Sequence, residues 1–224
     1  MNYQIDAPGS AIRTTVKLPA SKSISNRALI LNALSYSAYD VENLSDCDDT
    51  NLMVKALNSN DRDFNVGAAG TTMRFLTAFL SKVVGEWTIT GTERMKNRPI
   101  KVLVDALNAL GARIEYMEKE GYPPLRIFGS ALQGGEISLP GNVSSQYISA
   151  ILMIAPLTEN GVMLHLEGAI ISRPYIHITL QLMEQYGVRA SWTENTIKVL
   201  PQEYKPIRFT VESDWSAASY WYEI

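Results

Sequence analysis

One stretch of this chain gathers two cations and three hydroxyls at the opening of an apolar run: Leu18-Pro19-Ala20-Ser21-Lys22-Ser23-Ile24-Ser25-Asn26-Arg27-Ala28-Leu29. A helix starting here leaves backbone N–H groups without partners and carries about half a positive charge at its amino end, which favours phosphate and carboxylate. Ser21, Ser23 and Ser25 are short donors, Lys22 is a mobile point charge, and Arg27 offers a planar fork suited to either anion. Arg27 follows Ser23 by four residues and so lies on the same helix face, one turn along. A capping Ser followed by solvated Lys and Arg is the simpler account of an arbitrary Ser-Lys-Ser. Here the apolar residues Leu29, Ile30, Leu31, Ala33 and Leu34 bury the rest of the helix and pin its start, which favours an anion site.

Other segments carry related chemistry. Gly67-Ala68-Ala69-Gly70-Thr71-Thr72-Met73-Arg74 is a Gly-bounded loop that lets backbone donors approach a ligand, although a plain tight turn explains it equally. Neither a phosphate-binding G-x-x-x-x-G-K-[ST] loop nor a dinucleotide G-x-G-x-x-G follows a strand. Arg94-Met95-Lys96-Asn97-Arg98-Pro99 concentrates cations before a Pro-started helix and also reads as an exposed charged loop. Val143-Ser144-Ser145-Gln146 and Ser172-Arg173-Pro174-Tyr175 add hydroxyls, an amide and a phenol, a set that suits a polyol phosphate. Cys47, His165 and His177 lack partner motifs and read as structural.

The elements that would position these groups repeat. Three apolar helix candidates, 21–35, 69–81 and 143–157, each begin with a small-residue, hydroxyl-rich turn and carry a polar anchor (Arg27, Arg74, Gln146) before an almost continuous apolar run. Helices apolar nearly all round belong in the interior. Each is followed by a more amphipathic helix candidate (48–58, 98–110, 173–186) and a strand (63–66, 112–116, 188–192). Gly111 and Gly187 close the latter two helices, which open on Arg-Pro-Ile and Arg-Pro-Tyr. Alternating segments near 87–90, 125–127, 136–139, 162–166 and 197–200 supply further strands. The expected fold is α/β (α+β): βαβαββ three times, with buried helices and outward-facing sheets in pseudo-threefold arrangement. A doubly wound parallel sheet is the rival, but it asks for continuous apolar strands. In the threefold arrangement the hydroxyl-rich helix starts converge at one end of the domain.

Size and charge bound the function. At 224 residues, about 70% of the unfolded surface can be buried, enough for one large domain or two small ones. A net charge of −3 gives no global reason to bind nucleic acid, so a basic site must be small and focused. The first residues lack signal-peptide character and no apolar run reaches membrane-span length, so no membrane partner is expected and the expected location is cytoplasmic.

As a set, LPASKSISNRALI, AAGTTMR, ERMKNRPI with the following VDAL, the segment 141–153, SRPYIHITL and VESDWSAASY resemble the first half of the 5-enolpyruvylshikimate-3-phosphate synthase family, over residues 17–220. The resemblance implies transfer of the enolpyruvyl group of phosphoenolpyruvate to the 5-hydroxyl of shikimate 3-phosphate, through a tetrahedral adduct that loses phosphate, with no metal or organic cofactor. It implies that Lys22 touches both substrates, that Ser23 and Arg27 hold the shikimate carboxylate, and that Ser144, Ser145 and Ser172 take its phosphate. Gln146 and Tyr175 would lie against the ring, Gly70 and Arg98 would bind phosphoenolpyruvate, and Arg74 is a further candidate. Lys22 and Arg98 would act on the reaction electrostatically. Ala68 stands where the family usually has Asn, and Ala20 where it usually has Gly. The implied domains are 1–13, a strand region of a second domain; 14–210, the substrate-binding domain; and 211–224, the start of the second domain. Its proton-transfer groups are expected in that partner C-terminal domain, so this chain alone is expected to be weak or inactive. A UDP-N-acetylglucosamine enolpyruvyltransferase-like enzyme and a non-catalytic sugar-phosphate-binding domain are the alternatives.

Overall fold

A computed structural model describes Gly9 and residues 13–223. Most of the expected strand region 1–13 lies outside the described residues. In chain order the elements are α1 (Lys22–Leu34), β1 (Val41–Glu42), α2 (Asp48–Leu57), β2 (Asp63–Asn65), α3 (Gly70–Lys82), β3 (Gly85–Thr90), α4 (Glu93–Lys96), α5 (Lys101–Ala109), β4 (Arg113–Tyr116) and β5 (Leu125–Gly129). They continue as β6 (Gly135–Pro140), α6 (Ser145–Ile154), β7 (Val162–Glu167), α7 (Arg173–Gln185), β8 (Ala190–Thr193), β9 (Thr196–Val199), β10 (Phe209–Thr210) and α8 (Trp215–Tyr222).

The repeat is visible in the sheets. Strand orders β2-β3-β5-β4 and β6-β7-β9-β8 are the same pattern: an edge strand pairs parallel with the second, and the remaining pairs are antiparallel. Strands β10 and β1 form the corresponding parallel pair of the first unit, from opposite ends of the chain. That first unit is the short one. Its second helix, α2, runs through the 58–62 connection into β2, which pairs with β3, so the strand expected to end the first unit opens the second. Among the described residues the first unit has no counterpart of the β4–β5 and β8–β9 hairpins.

Helices α1, α3 and α6 fill the interior. Every residue of α6 is buried except Gln146, and α3 is buried except at Arg74, Phe79 and Lys82. Burying one such large apolar side chain contributes about 1.5–3 kcal/mol. Two of the hydroxyls that α3 carries inward are satisfied on their own helix: Thr77 donates to the Met73 carbonyl at 2.7 Å and Ser81 to that of Ala78 at 2.7 Å. Outer strands alternate; in β6, Ile137 and Leu139 face the core while Glu136 and Ser138 do not.

Local signals explain the boundaries. Gly111 and Gly187, with φ of +98° and +88°, end α5 and α7 in the left-handed region that glycine adopts without strain. Helix α7 opens at Arg173-Pro174 as expected, but α5 begins at Lys101, leaving Arg98-Pro99-Ile100 as an irregular lead-in. The expected charged loop at 94–98 contains the one-turn α4, closed by Met95 and Lys96 amides on the Thr92 carbonyl at 2.8 and 3.0 Å. Burial of Met95 drives that turn inward, a tertiary effect no charge count reveals.

Candidate functional site

The amino end of α1 is fixed from outside the helix. Ser21 caps it by accepting from the Ile24 amide at 3.5 Å, its own amide donates to Glu212 O at 2.9 Å, and the Asp214 amide donates to Pro19 O at 2.8 Å. With the backbone held, Lys22 projects as a 46% exposed cation whose Nζ lies 3.5 Å from Asp49 Oδ2. Asp49 stands in the first turn of α2, and its other carboxylate oxygen accepts the Thr71 amide of α3 at 2.9 Å. Its carbonyl accepts the Thr72 hydroxyl at 2.6 Å.

Arg27 turns inward rather than toward solvent. It is 2% exposed, donating from Nε to Thr179 Oγ1 at 2.7 Å, from Nη1 to Ser23 O at 2.9 Å, and from Nη2 to Ser149 Oγ at 2.9 Å. A longer Nη2 contact reaches Tyr175 O at 3.4 Å, and the guanidinium carbon lies 5.3 Å from the Phe75 ring centroid. Burial lowers its pKa to about 10, so it stays charged at neutral pH. The fork therefore ties α1 to α6 and α7, and also holds the Ser23 carbonyl one turn earlier in α1.

The start of α3 is joined to the start of α6. Arg74 Nη1 donates to Gln146 Oε1 at 2.7 Å and to Gly70 O at 3.0 Å, while Gln146 Nε2 donates to Thr71 Oγ1 at 3.1 Å. Arg74 Nε is buried without a partner among the described residues. Arg98 lies directly over Gly70: a Cβ there would overlap the guanidinium. Tyr147 fixes the approach by donating its hydroxyl to Pro99 O at 2.6 Å, and Arg74 stacks over the same ring at 5.2 Å. Burial, then the neighbouring charges of Arg74 and Arg94, lowers the Arg98 pKa; Asp49 and Tyr147 act the other way.

The third wall carries the hydroxyls. Ser144 caps α6, accepting from the Gln146 amide at 3.3 Å, and Ser145 follows it. Ser172 stands at the N-cap position of α7, without a side-chain capping bond, at φ +57°, a left-handed conformation that is uncommon for a residue with a side chain. The two loops are tied by Ile171 N to Gly141 O at 3.1 Å, and Tyr175, half exposed, stands one turn into α7. Lys22, Arg74, Gln146, Gly70 and Arg98 are thus linked around one mouth, with Ser144, Ser145, Ser172 and Tyr175 on its α6–α7 side. A cleft of about 410 Å³ beside Tyr36 and Tyr39 lies elsewhere. The cationic wall is open, and geometry rather than cavity depth identifies it.

Five contributors escaped the sequence reading: Asp49, Thr71, Tyr147, Ser149 and Thr179. Asp48-Asp49 is indistinguishable from the acidic first turn any helix favours, and Ser149 and Thr179 look like ordinary interior hydroxyls. Thr71, Tyr147, Ser149 and Thr179 lie within the segments 67–74, 141–153 and 172–180 already singled out, but no role is given to them there.

Fold and site together define an α/β domain of repeated units whose buried helices bring their amino ends and the cations Lys22, Arg74 and Arg98 around one mouth. The model of EPSP synthase (3-phosphoshikimate 1-carboxyvinyltransferase) matches residues 7–61 and 58–223, and the chain belongs to that family. A 3-phosphoshikimate 1-carboxyvinyltransferase of Bacteroides fragilis (strain YCH46) is 61% identical over 225 residues, covering 100% of this chain and 55% of the relative. One of Vibrio campbellii is 43% identical over 242 residues, covering 95% and 57%. The chain thus spans about half the length of the curated relatives it matches. An EPSP synthase structure from Acinetobacter baumannii shares the fold, with a TM-score of 0.81, 21% identity, and coverage of 92% of this chain and 51% of that one.

Proposed function

We propose that this chain forms the shikimate 3-phosphate-binding half of an enzyme that transfers the enolpyruvyl group of phosphoenolpyruvate to the 5-hydroxyl of that substrate. The observation that carries the reading is the Arg74–Gln146–Thr71 link, which joins the hydroxyl-rich wall to the cationic wall at hydrogen-bond distance. Ser144, Ser145 and Ser172 would take the substrate phosphate, with Gln146 and Tyr175 against the ring. Ser23, backed by Arg27, would meet the carboxylate. Phosphoenolpyruvate would lie across Lys22, Gly70 and Arg98, with Arg74 behind them, and Lys22 would touch shikimate 3-phosphate as well.

In the reaction, the 5-hydroxyl gives up its proton to a base as its oxygen bonds to C2 of phosphoenolpyruvate and C3 gains a proton. The adduct then loses inorganic phosphate from C2 and the proton from C3, restoring the double bond. Lys22 and Arg98 would stabilise the anionic groups as they are drawn together. The proton-transfer groups belong in this reading to the half of full-length relatives outside the present match, and 14–210 is the substrate-binding unit, flanked by 1–13 and 211–224 of the partner domain. Closure of two halves concentrates charge and excludes water, so the present chain alone should bind without turning over. The single free cysteine fits a reducing, cytoplasmic setting.

Titration calorimetry of the purified chain with shikimate 3-phosphate tests this reading, with UDP-N-acetylglucosamine as control. Heat with the first and none with the second supports it; no heat with shikimate 3-phosphate overturns it. A phosphate-release assay with both substrates checks the division of labour, since turnover by this chain alone contradicts it.

A further inference from the structure

We infer that Asp49 is a positioning residue that aims Lys22, an inference that rests on the substrate reading above. The carboxylate is divided between two duties. Oδ1 accepts the Thr71 amide at 2.9 Å and Oδ2 faces Lys22 Nζ at 3.5 Å. The Asp49 carbonyl accepts the Thr72 hydroxyl at 2.6 Å, so side chain and backbone both lock the start of α2 to the start of α3. Asp49 is therefore fixed by groups other than Lys22, whereas the long Lys22 side chain, 46% exposed, has no other hydrogen-bond partner among the described residues.

That asymmetry sets the direction of influence. An exposed lysine loses much of its rotamer freedom when it is fixed, and an isolated exposed ion pair recovers little of this. A carboxylate already held in place, 17% exposed and close to the cations, biases Lys22 toward the mouth before any ligand arrives. The Thr71 amide is also occupied, so an incoming anion meets the side chains of Lys22 and Arg98 and the edge of Gly70 rather than a vacant helix end. Asp49 touches neither ligand in this account; it acts through Lys22.

A double-mutant cycle on shikimate 3-phosphate binding by the purified chain separates positioning from support of the fold. Asp49→Asn keeps an acceptor for the Thr71 amide and removes the charge that faces Lys22. Affinity should fall about threefold to tenfold with Lys22 present and change less than twofold in a Lys22→Met background. Asp49→Glu should restore part of the loss. Thermal unfolding identifies a variant that fails to fold, in which case the comparison is read on Asp49→Glu in the two backgrounds. An equal loss in both backgrounds overturns the inference, because the effect then does not pass through Lys22. Unchanged or tighter binding of Asp49→Asn with Lys22 present also overturns it, because the carboxylate then only repels the ligand. No heat from the unsubstituted chain overturns the substrate reading first, and this inference with it.

Discussion

Arg74 and Gln146, separated by 72 positions in the chain, meet at 2.7 Å and bring the starts of α3 and α6 together. The bond is charge-assisted, and the amide nitrogen of Gln146 is engaged at the same time by Thr71 at 3.1 Å. One amide therefore sets the spacing of two walls.

Replacing Gln146 by Leu should remove both bonds and leave Arg74 with the Gly70 carbonyl as its remaining acceptor. Denaturant unfolding should show a loss of about 1–3 kcal/mol. Calorimetry should show shikimate 3-phosphate binding weakened at least tenfold. A fully retained affinity contradicts the assignment of Gln146 to the ligand face.

Gly70→Ala probes the close approach of Arg98. The new methyl overlaps a guanidinium at the end of a flexible side chain, so the arginine moves and the backbone need not. Stability should change by less than about 1 kcal/mol, as expected for alanine replacing glycine within a helix. A crystal structure of the variant should show Arg98 displaced from its place over α3, and shikimate 3-phosphate affinity should change less than in Gln146→Leu.

Arg27→Met tests the buried tie. The substitution leaves the Ser149 and Thr179 hydroxyls and the Ser23 carbonyl short of a donor, and it also removes a buried charge whose own desolvation opposes folding. Loss of a well-bonded buried charge network typically costs about 3–5 kcal/mol when the partners are stranded, less here because those partners are neutral. We expect about 2 kcal/mol by denaturant titration. The pH dependence has a definite sign. The folded-state value of about 10 lies below the ordinary arginine value, so between the two the unfolded chain binds more protons and this group's contribution favours folding as pH rises. Arg27 should therefore add no acid-induced loss of stability between pH 5 and pH 8, and the difference between Arg27→Met and the unsubstituted chain should be flat across that window.

Tyr147→Phe removes only the hydroxyl that holds Pro99 O at 2.6 Å. The expected cost is about 1 kcal/mol in urea unfolding. Because the ring and its stacking with Arg74 remain, shikimate 3-phosphate affinity should stay within about threefold of the unsubstituted chain. Larger losses in both measurements would place more of the Arg98 lead-in under the control of this single bond.

What the sequence determined by itself is local or periodic. Serine and threonine at helix starts, Gly111 and Gly187 at helix ends, and the apolar runs of α1, α3 and α6 fixed the repeated helices to within a few residues, because capping and interior burial depend on near neighbours. The motif set likewise carried the family resemblance. Tertiary structure alone decided three things. It moved β2 into the second unit's sheet, since strand pairing is a choice among distant partners that alternation does not make. It turned Arg27 inward onto Ser149 and Thr179, which lie 122 and 152 positions away. It also set Asp49 between Lys22 and Thr71, giving an ordinary acidic first turn a place at the site. Cap and core signals are written into short segments; the destination of a polar side chain depends on which segments fold against it.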